Sequence, residues 1–177
     1  MKTRIILHHT GDTSKTPQFK KVERFHDAGA GGKWPKGHGI MYHFFIERIG
    51  TIIHAKDEDE HLWQAGDWFN NSFGIAICLA GNFLVDDPTY HQLKSLSSLL
   101  TDIQKRRGIR DSNVYLHWEV RRTECPGKDL RKLVKERFPD KTLEQKIKQV
   151  KKAIPRAKDS RKRRLLRLLK RLLRQTK

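Results

Sequence analysis

The sequence predicts an α/β fold in which a mixed central β-sheet is flanked by helices. Three observations carry this. Strand-like and helix-like patterns alternate through the first 137 residues, two strand patterns flank a tight-turn glycine, and one apolar run has the character of a strand covered on both faces. The hairpin argues against a purely parallel topology.

Thr3 to His9 is an apolar run that ends in polar residues and the loop Gly11–Ser14, so it reads as a short buried strand with two histidines at its end. Pro17 to Asp27 places Phe19, Val22 and Phe25 at helical spacing, and the glycines at 29, 31 and 32 stop it. A mobile loop is expected from Gly31 to Gly39. Tyr42 to Arg48 and Thr51 to His54 form a hairpin pattern, with Gly50 supplying the positive backbone angle of its turn. Phe73 to Ala80 is the covered strand, placed centrally.

Asp86 or Asp87 supplies a helix cap and Pro88 a first-turn residue. Leu93, Leu96, Leu99, Leu100 and Ile103 then make a buried stripe that Gly108 closes. Val114 to His117 reads as a strand. Lys128 to Arg137 reads as a helix with Leu130, Leu133 and Val134 inward. There is no internal repeat.

A chain of 177 residues accommodates one catalytic domain with an apolar core and a small appendage, not two enzyme domains. The division is expected at residues 1–138 and 139–177. The net charge of +18 points to an anionic partner. From Phe138 to Lys177 there are 16 basic and 3 acidic residues, so most of the excess lies in the tail. Two cysteines, Cys78 and Cys125, are too few for a disulfide framework. The run Ile5–Leu7 is far shorter than a signal-peptide core, and no stretch approaches the roughly 20 apolar residues of a spanning helix. Synthesis in the cytoplasm, with action outside it only after release, is the expectation.

His8 at a strand end, His117 at a late strand end and Cys125 eight residues on are candidate metal ligands. Two His and one Cys leave a fourth zinc position open, as a catalytic site requires. On spacing alone His8 also reads as a strand-end residue, His117 as a core histidine and Cys125 as a small buried hydrophobe. Five segments bear on the choice: Ile5–Thr10; Met41–Arg48 with Gly50–Thr51; Trp63–Gly66; Asn71–Ile75 through Gly81–Phe83; and His117–Glu119 with Thr123–Gly127. In order and in wording they resemble the type-2 N-acetylmuramoyl-L-alanine amidase and peptidoglycan recognition protein family, phage lysis amidases included. The likeness spans nearly all of residues 3–137.

The resemblance implies one zinc ion held by His8, His117 and Cys125, with Tyr42 and Thr123 serving the oxyanion and the reacting carbonyl. It implies hydrolysis of the amide between N-acetylmuramic acid and L-alanine in bacterial peptidoglycan. By their own types Tyr42 also reads as a packed strand aromatic and Thr123 as a turn residue. Two positions depart from the family. Ala76 stands where wall-recycling members carry a Glu, which favours the phage-type arrangement. Gln64 stands where His is common; it can hydrogen-bond substrate but cannot shuttle a proton. Glu119 is either an acceptor orienting a ligand histidine or a surface carboxylate. Cys78 reads as an inert core residue, and His9, His38, His43 and His54 receive no role.

In the tail, Leu143, Ile147, Val150 and Ile154 form a narrow stripe before Pro155. Beyond Arg161, Leu165, Leu166, Leu168, Leu169, Leu172 and Leu173 oppose Arg167, Lys170, Arg171 and Arg174. Such a helix suits the boundary of an anionic bilayer or lipopolysaccharide, so residues 159–177 are expected to bind that surface. The alternative is a Leu face packed on protein. Nucleic acid is disfavoured because the tail has no aromatic to stack on bases. For the whole chain, a non-catalytic wall-binding protein and a cationic membrane- or nucleic-acid-binding module are the alternatives to a lytic amidase.

Overall fold

The computed structural model describes residues 1–138, Ile147, and residues 151–152, 154–156 and 159–173. Residues 1–138 and 139–177 are separate compact units. In the first unit the order is β1 (Arg4–His9), α1 (Phe19–Asp27), β2 (Phe44–Ile46), β3 (Ile52–His54), α2 (Trp68–Phe73), β4 (Gly74–Leu79), α3 (Tyr90–Arg107), β5 (Val114–Leu116), α4 (His117–Val120) and α5 (Leu130–Arg137).

The sheet runs β3-β2-β4-β1-β5. Only the β2–β3 hairpin is antiparallel; β4 pairs in parallel with β1 and β2, and β5 in parallel with β1. The expected mixed sheet is therefore present, with β4 at its centre and all six of its residues buried. At the hairpin turn Gly50 has φ +88°, and a β-carbon there would come within 2.9 Å of the His91 carbonyl oxygen.

Side-chain alternation gives the two faces different tasks. Ile5, Leu7, Phe44, Ile46, Ile75, Ile77 and Leu79 form the larger core with Leu96, Leu100 and Ile103 of α3 and Leu130 and Val134 of α5. Phe45, Cys78 and Ala80 point the other way and pack with Phe19 and Val22 of α1 and with Tyr42. His8 follows the second alternation. The small side chains of Ala76 and Cys78 leave room there for Tyr42 and His43.

Several boundaries differ from expectation. α3 starts at Tyr90 rather than around Pro88: Thr89 caps it, accepting from the Gln92 amide while the Gln92 side chain accepts from the Thr89 amide. Asp86 and Asp87 are drawn instead to Lys15 and Lys128. The segment before β4 is the helix α2, capped by Asp67, so Phe73 ends a helix instead of beginning the strand. His117 opens α4 rather than closing β5. α5 begins at Leu130, after Asp129 accepts from the Lys132 amide.

In the second unit Asp159–Leu173 forms a helix, α6. Lys162, Arg163, Arg164, Arg167 and Lys170 are exposed, while Leu165 and Leu169 are half-buried. Leu166 and Leu168 remain 41% and 42% exposed. Leu143, Val150 and Arg174 of the expected stripes lie outside the described residues. Among the described residues no helix is long and apolar enough to cross a membrane.

Candidate metal centre

The parallel pairing of β1 between β4 and β5 carries His8 to one end of the sheet, where β5 delivers the start of α4. His117 is the first residue of that helix. The chain then loops back so that the Trp118 amide donates to the Cys125 carbonyl at 2.9 Å, which closes the eight-residue interval and sets Cys125 against β1. The amide of His9 donates to the Cys125 sulfur at 3.3 Å.

One ligand atom from each of His8, His117 and Cys125 lies within 4.8 Å of the other two. His8 Nδ1 is 3.8 Å from Cys125 Sγ, and the His8 and His117 ring centroids are 4.4 Å apart. His8 is 1% exposed. Burial, with His117 second, holds its pKa well below the usual histidine value. Burial likewise lowers His117 to about 4 and pushes the Cys125 thiol up to about 12.

These residues fit a zinc ion. Neither nitrogen of the His117 ring, both buried, makes a hydrogen bond of good geometry; the Ala65 backbone carbonyl offers at most a loose contact to one of them, so a lone pair is left for another partner. Both imidazoles are held neutral, the form that ligates metals. Burial without a cation leaves Cys125 a poor nucleophile, whereas a divalent cation beside a thiol removes its proton.

The surroundings assign tasks that residue types alone did not. Gln64, 7% exposed, places Oε1 2.7 Å from His8 Nε2, and its Nε2 donates to the Asn70 carbonyl at 3.0 Å. With the amide so engaged, His8 carries its proton on Nε2 and turns the Nδ1 lone pair toward Cys125. Gln64 thus pairs with His8 through its oxygen, while it also lines the cleft. Glu119 accepts from the Leu116 amide at 2.7 Å and from Arg131 at 2.8 Å. It braces the β5–α4 junction, and neither His117 nitrogen has it as a partner.

Tyr42 is half-buried, its ring centroid 5.2 Å from that of His8. Burial raises its hydroxyl pKa well above the ordinary value, with Cys78 the next cause, so it stays a proton donor. Cys78 is fully buried and its own pKa is raised by burial. Thr123 Oγ1 accepts from the Cys125 amide at 3.3 Å, which leaves its hydroxyl hydrogen free to donate. Tyr42, Gln64, His117 and Thr123 line one cleft of about 740 Å³, together with Trp34, Trp63, Trp68, Arg121 and Arg122.

Of the histidines without an expected role, His9 accepts through Nδ1 from the Phe83 amide and His43 from the Ala76 amide. His26 accepts from the Met41 amide and so holds the segment leading into Tyr42. These pairings join residues far apart in the chain, and no local pattern announces them.

Residues 2–128 match the Amidase_2 family, described as N-acetylmuramoyl-L-alanine amidase. The endolysin of Escherichia phage T7 is 34% identical over 110 residues, covering 56% of this chain and 69% of that protein. The solved structure of the N-acetylmuramoyl-L-alanine amidase LysC from Clostridium intestinale URNW is 30% identical with a TM-score of 0.64, covering 77% of this chain and 85% of that one. Drosophila peptidoglycan recognition protein SD, 22% identical with a TM-score of 0.62 over 77% of this chain and 80% of its own, shares the fold. A match through most of the first unit, over a strand order that brings His8, His117 and Cys125 together, shows that this chain belongs to the Amidase_2 family of N-acetylmuramoyl-L-alanine amidases.

Proposed function

We propose that the chain is a zinc-dependent lytic amidase that cleaves the bond between N-acetylmuramic acid and L-alanine in peptidoglycan. The single observation that carries the reading is the cluster of His8, His117 and Cys125, whose ligand atoms lie within 4.8 Å of one another and of which His117 lines the cleft. Three protein donors suit a catalytic zinc ion, which when bound supplies a Lewis acid for the amide carbonyl and activates water for attack. The protein's own part is to hold those donors and to meet the charge that develops. His8 is oriented by Gln64, and Cys125 by the His9 amide and the Trp118–Cys125 backbone bond.

Tyr42 and Thr123 flank the cluster from opposite chain segments. Thr123 retains a hydroxyl hydrogen for the carbonyl oxygen, and the Tyr42 hydroxyl, paired with the Cys78 sulfur, serves the oxyanion by turning from that sulfur; such donors stabilise an acyl-transfer transition state. Among the described residues the one carboxylate that lines the cleft is Asp67, which is committed to the Asn70 amide and side chain at the start of α2. A carboxylate general base from β4 is absent because Ala76 occupies that stretch.

The relatives named endolysin support a role in lysing cells, with the enzyme reaching the wall after release from the cytoplasm. The cationic α6 supports binding to anionic membrane or lipopolysaccharide, since it sets exposed basic residues beside partly exposed leucines. The test is to incubate purified wall with the protein before and after chelation and to assay free stem-peptide amino termini. Release that chelation abolishes and zinc restores is the expected result; release indifferent to chelation, or none after zinc is supplied, counts against the reading.

A further inference from the structure

The geometry points to Arg121 as the residue that reads a carboxylate of the stem peptide, so that the enzyme prefers an anionic stem to an amidated one. This deepens the amidase reading and rests on it.

Arg121 lines the same cleft as Tyr42, His117 and Thr123. Its Nη1 donates to the Gly66 carbonyl at 2.6 Å. Gly66, at φ +75°, is a cradle for this side chain: a β-carbon there would lie 1.6 Å from Nη1 and 2.3 Å from Cζ. The guanidinium, though exposed, is therefore anchored at one nitrogen by the backbone of the Trp63–Trp68 loop. Only one of its nitrogens is used among the described residues, which leaves donors for another group.

Arg121 combines this backbone anchor in the cleft with a missing acid. Arg106 and Arg107 clasp Glu58, Arg131 holds Glu119 and Asp129, and Arg48 faces Asp86. Among the described residues Arg121 has no carboxylate in ion-pair range, nor do its cleft neighbours Arg122 and Lys33, and the cleft's own acid, Asp67, is occupied at α2. A guanidinium anchored in advance and left without an anion is suited to a carboxylate supplied by a ligand.

The substrate has such groups on one side only. A glycan of N-acetylated sugars is neutral, whereas the stem carries free carboxylates. Arg121 lines the cleft with His117 and Thr123, and its charge acts on the His117 ring, so what it reaches lies on the side of the cleft where the scissile amide would sit. The nearest free carboxylate belongs to the second stem residue, one beyond the L-alanine whose bond is cut.

The experiment compares two muropeptides that differ only in that residue, one with isoglutamate and one with isoglutamine, using the zinc-loaded full chain and its Arg121→Gln and Arg121→Lys variants. Hydrolysis and equilibrium binding are both measured. The unaltered chain should favour the acidic substrate by about tenfold or more, mainly through KM. Arg121→Gln should bring the ratio of acidic to amidated substrate use close to one, whatever it does to the rate on either, and Arg121→Lys should retain part of the ratio. Equal use of both substrates by the unaltered chain, or an equal loss on both in Arg121→Gln, would overturn the proposal. If neither is hydrolysed, the amidase reading has failed, and the binding preference still decides the role of Arg121.

Discussion

The amide oxygen of Gln64 lies 2.7 Å from His8 Nε2, across 56 residues of chain, and the other end of the same amide is tied to the Asn70 carbonyl. This one side chain decides which nitrogen of His8 faces the sulfur of Cys125. Replacing Gln64 with Leu keeps the volume but removes the acceptor. The variant is expected to bind zinc about 10–100-fold more weakly, in line with losses seen when the partner of a ligating histidine is removed. Competition against a chelator of known affinity measures it, and unchanged affinity would deny Gln64 its orienting part.

Tyr42 and Thr123 make a separable prediction. Tyr42→Phe and Thr123→Ala each delete one hydroxyl while leaving the three ligand side chains in place. Zinc content should stay constant while kcat falls, by up to about 10²–10³-fold for a donor that serves the oxyanion. A fall in metal content would show instead that the hydroxyl supports the site. Thr123→Ala also removes the acceptor for the Cys125 amide, so Thr123→Ser serves as its rescue.

Fold and site were legible to different depths. The sheet could be read because alternation and covered apolar runs are local, and the His-His and Cys-Pro-Gly surroundings carried the ligand trio. α2 escaped because six residues, Trp68–Phe73, are too few to display a helical period. The start of α3 was misplaced because Asp86 and Asp87 have the chemistry of caps, yet lysines at 15 and 128, distant in sequence, claim them. The commitments of Gln64, Glu119 and Arg121 depend on which segments the fold apposes: Gly66 and Arg121 meet across 55 residues.

Stability should respond to alkaline pH through Lys2. Its side chain is buried, 2% exposed, and donates to the Glu60 carbonyl at 2.7 Å. Burial lowers its pKa from 10.5 to about 8. Below about pH 8 both folded and unfolded chains hold this proton; between about 8 and 10.5 only the unfolded chain does. Through that window the Lys2 contribution therefore favours folding more as pH rises. Denaturant titrations should show this rise in the parent relative to Lys2→Met, and parallel pH profiles would exclude it.

The tail prediction concerns α6. Deleting residues 159–177 should abolish binding to vesicles rich in anionic lipid and reduce lysis of intact cells, while hydrolysis of purified wall continues. Salt should weaken the binding of the full chain, since the attraction is electrostatic in part. Unchanged vesicle binding after the deletion would remove α6 from that role.

The most direct test of the central claim is the zinc content of the purified chain beside its His8→Ala, His117→Ala and Cys125→Ala variants, each assayed for release of stem peptides from wall. The account predicts one ion per chain in the parent, little retained metal in each variant, and catalysis that disappears with it. Variants that keep both metal and activity, above all Cys125→Ala, would contradict it.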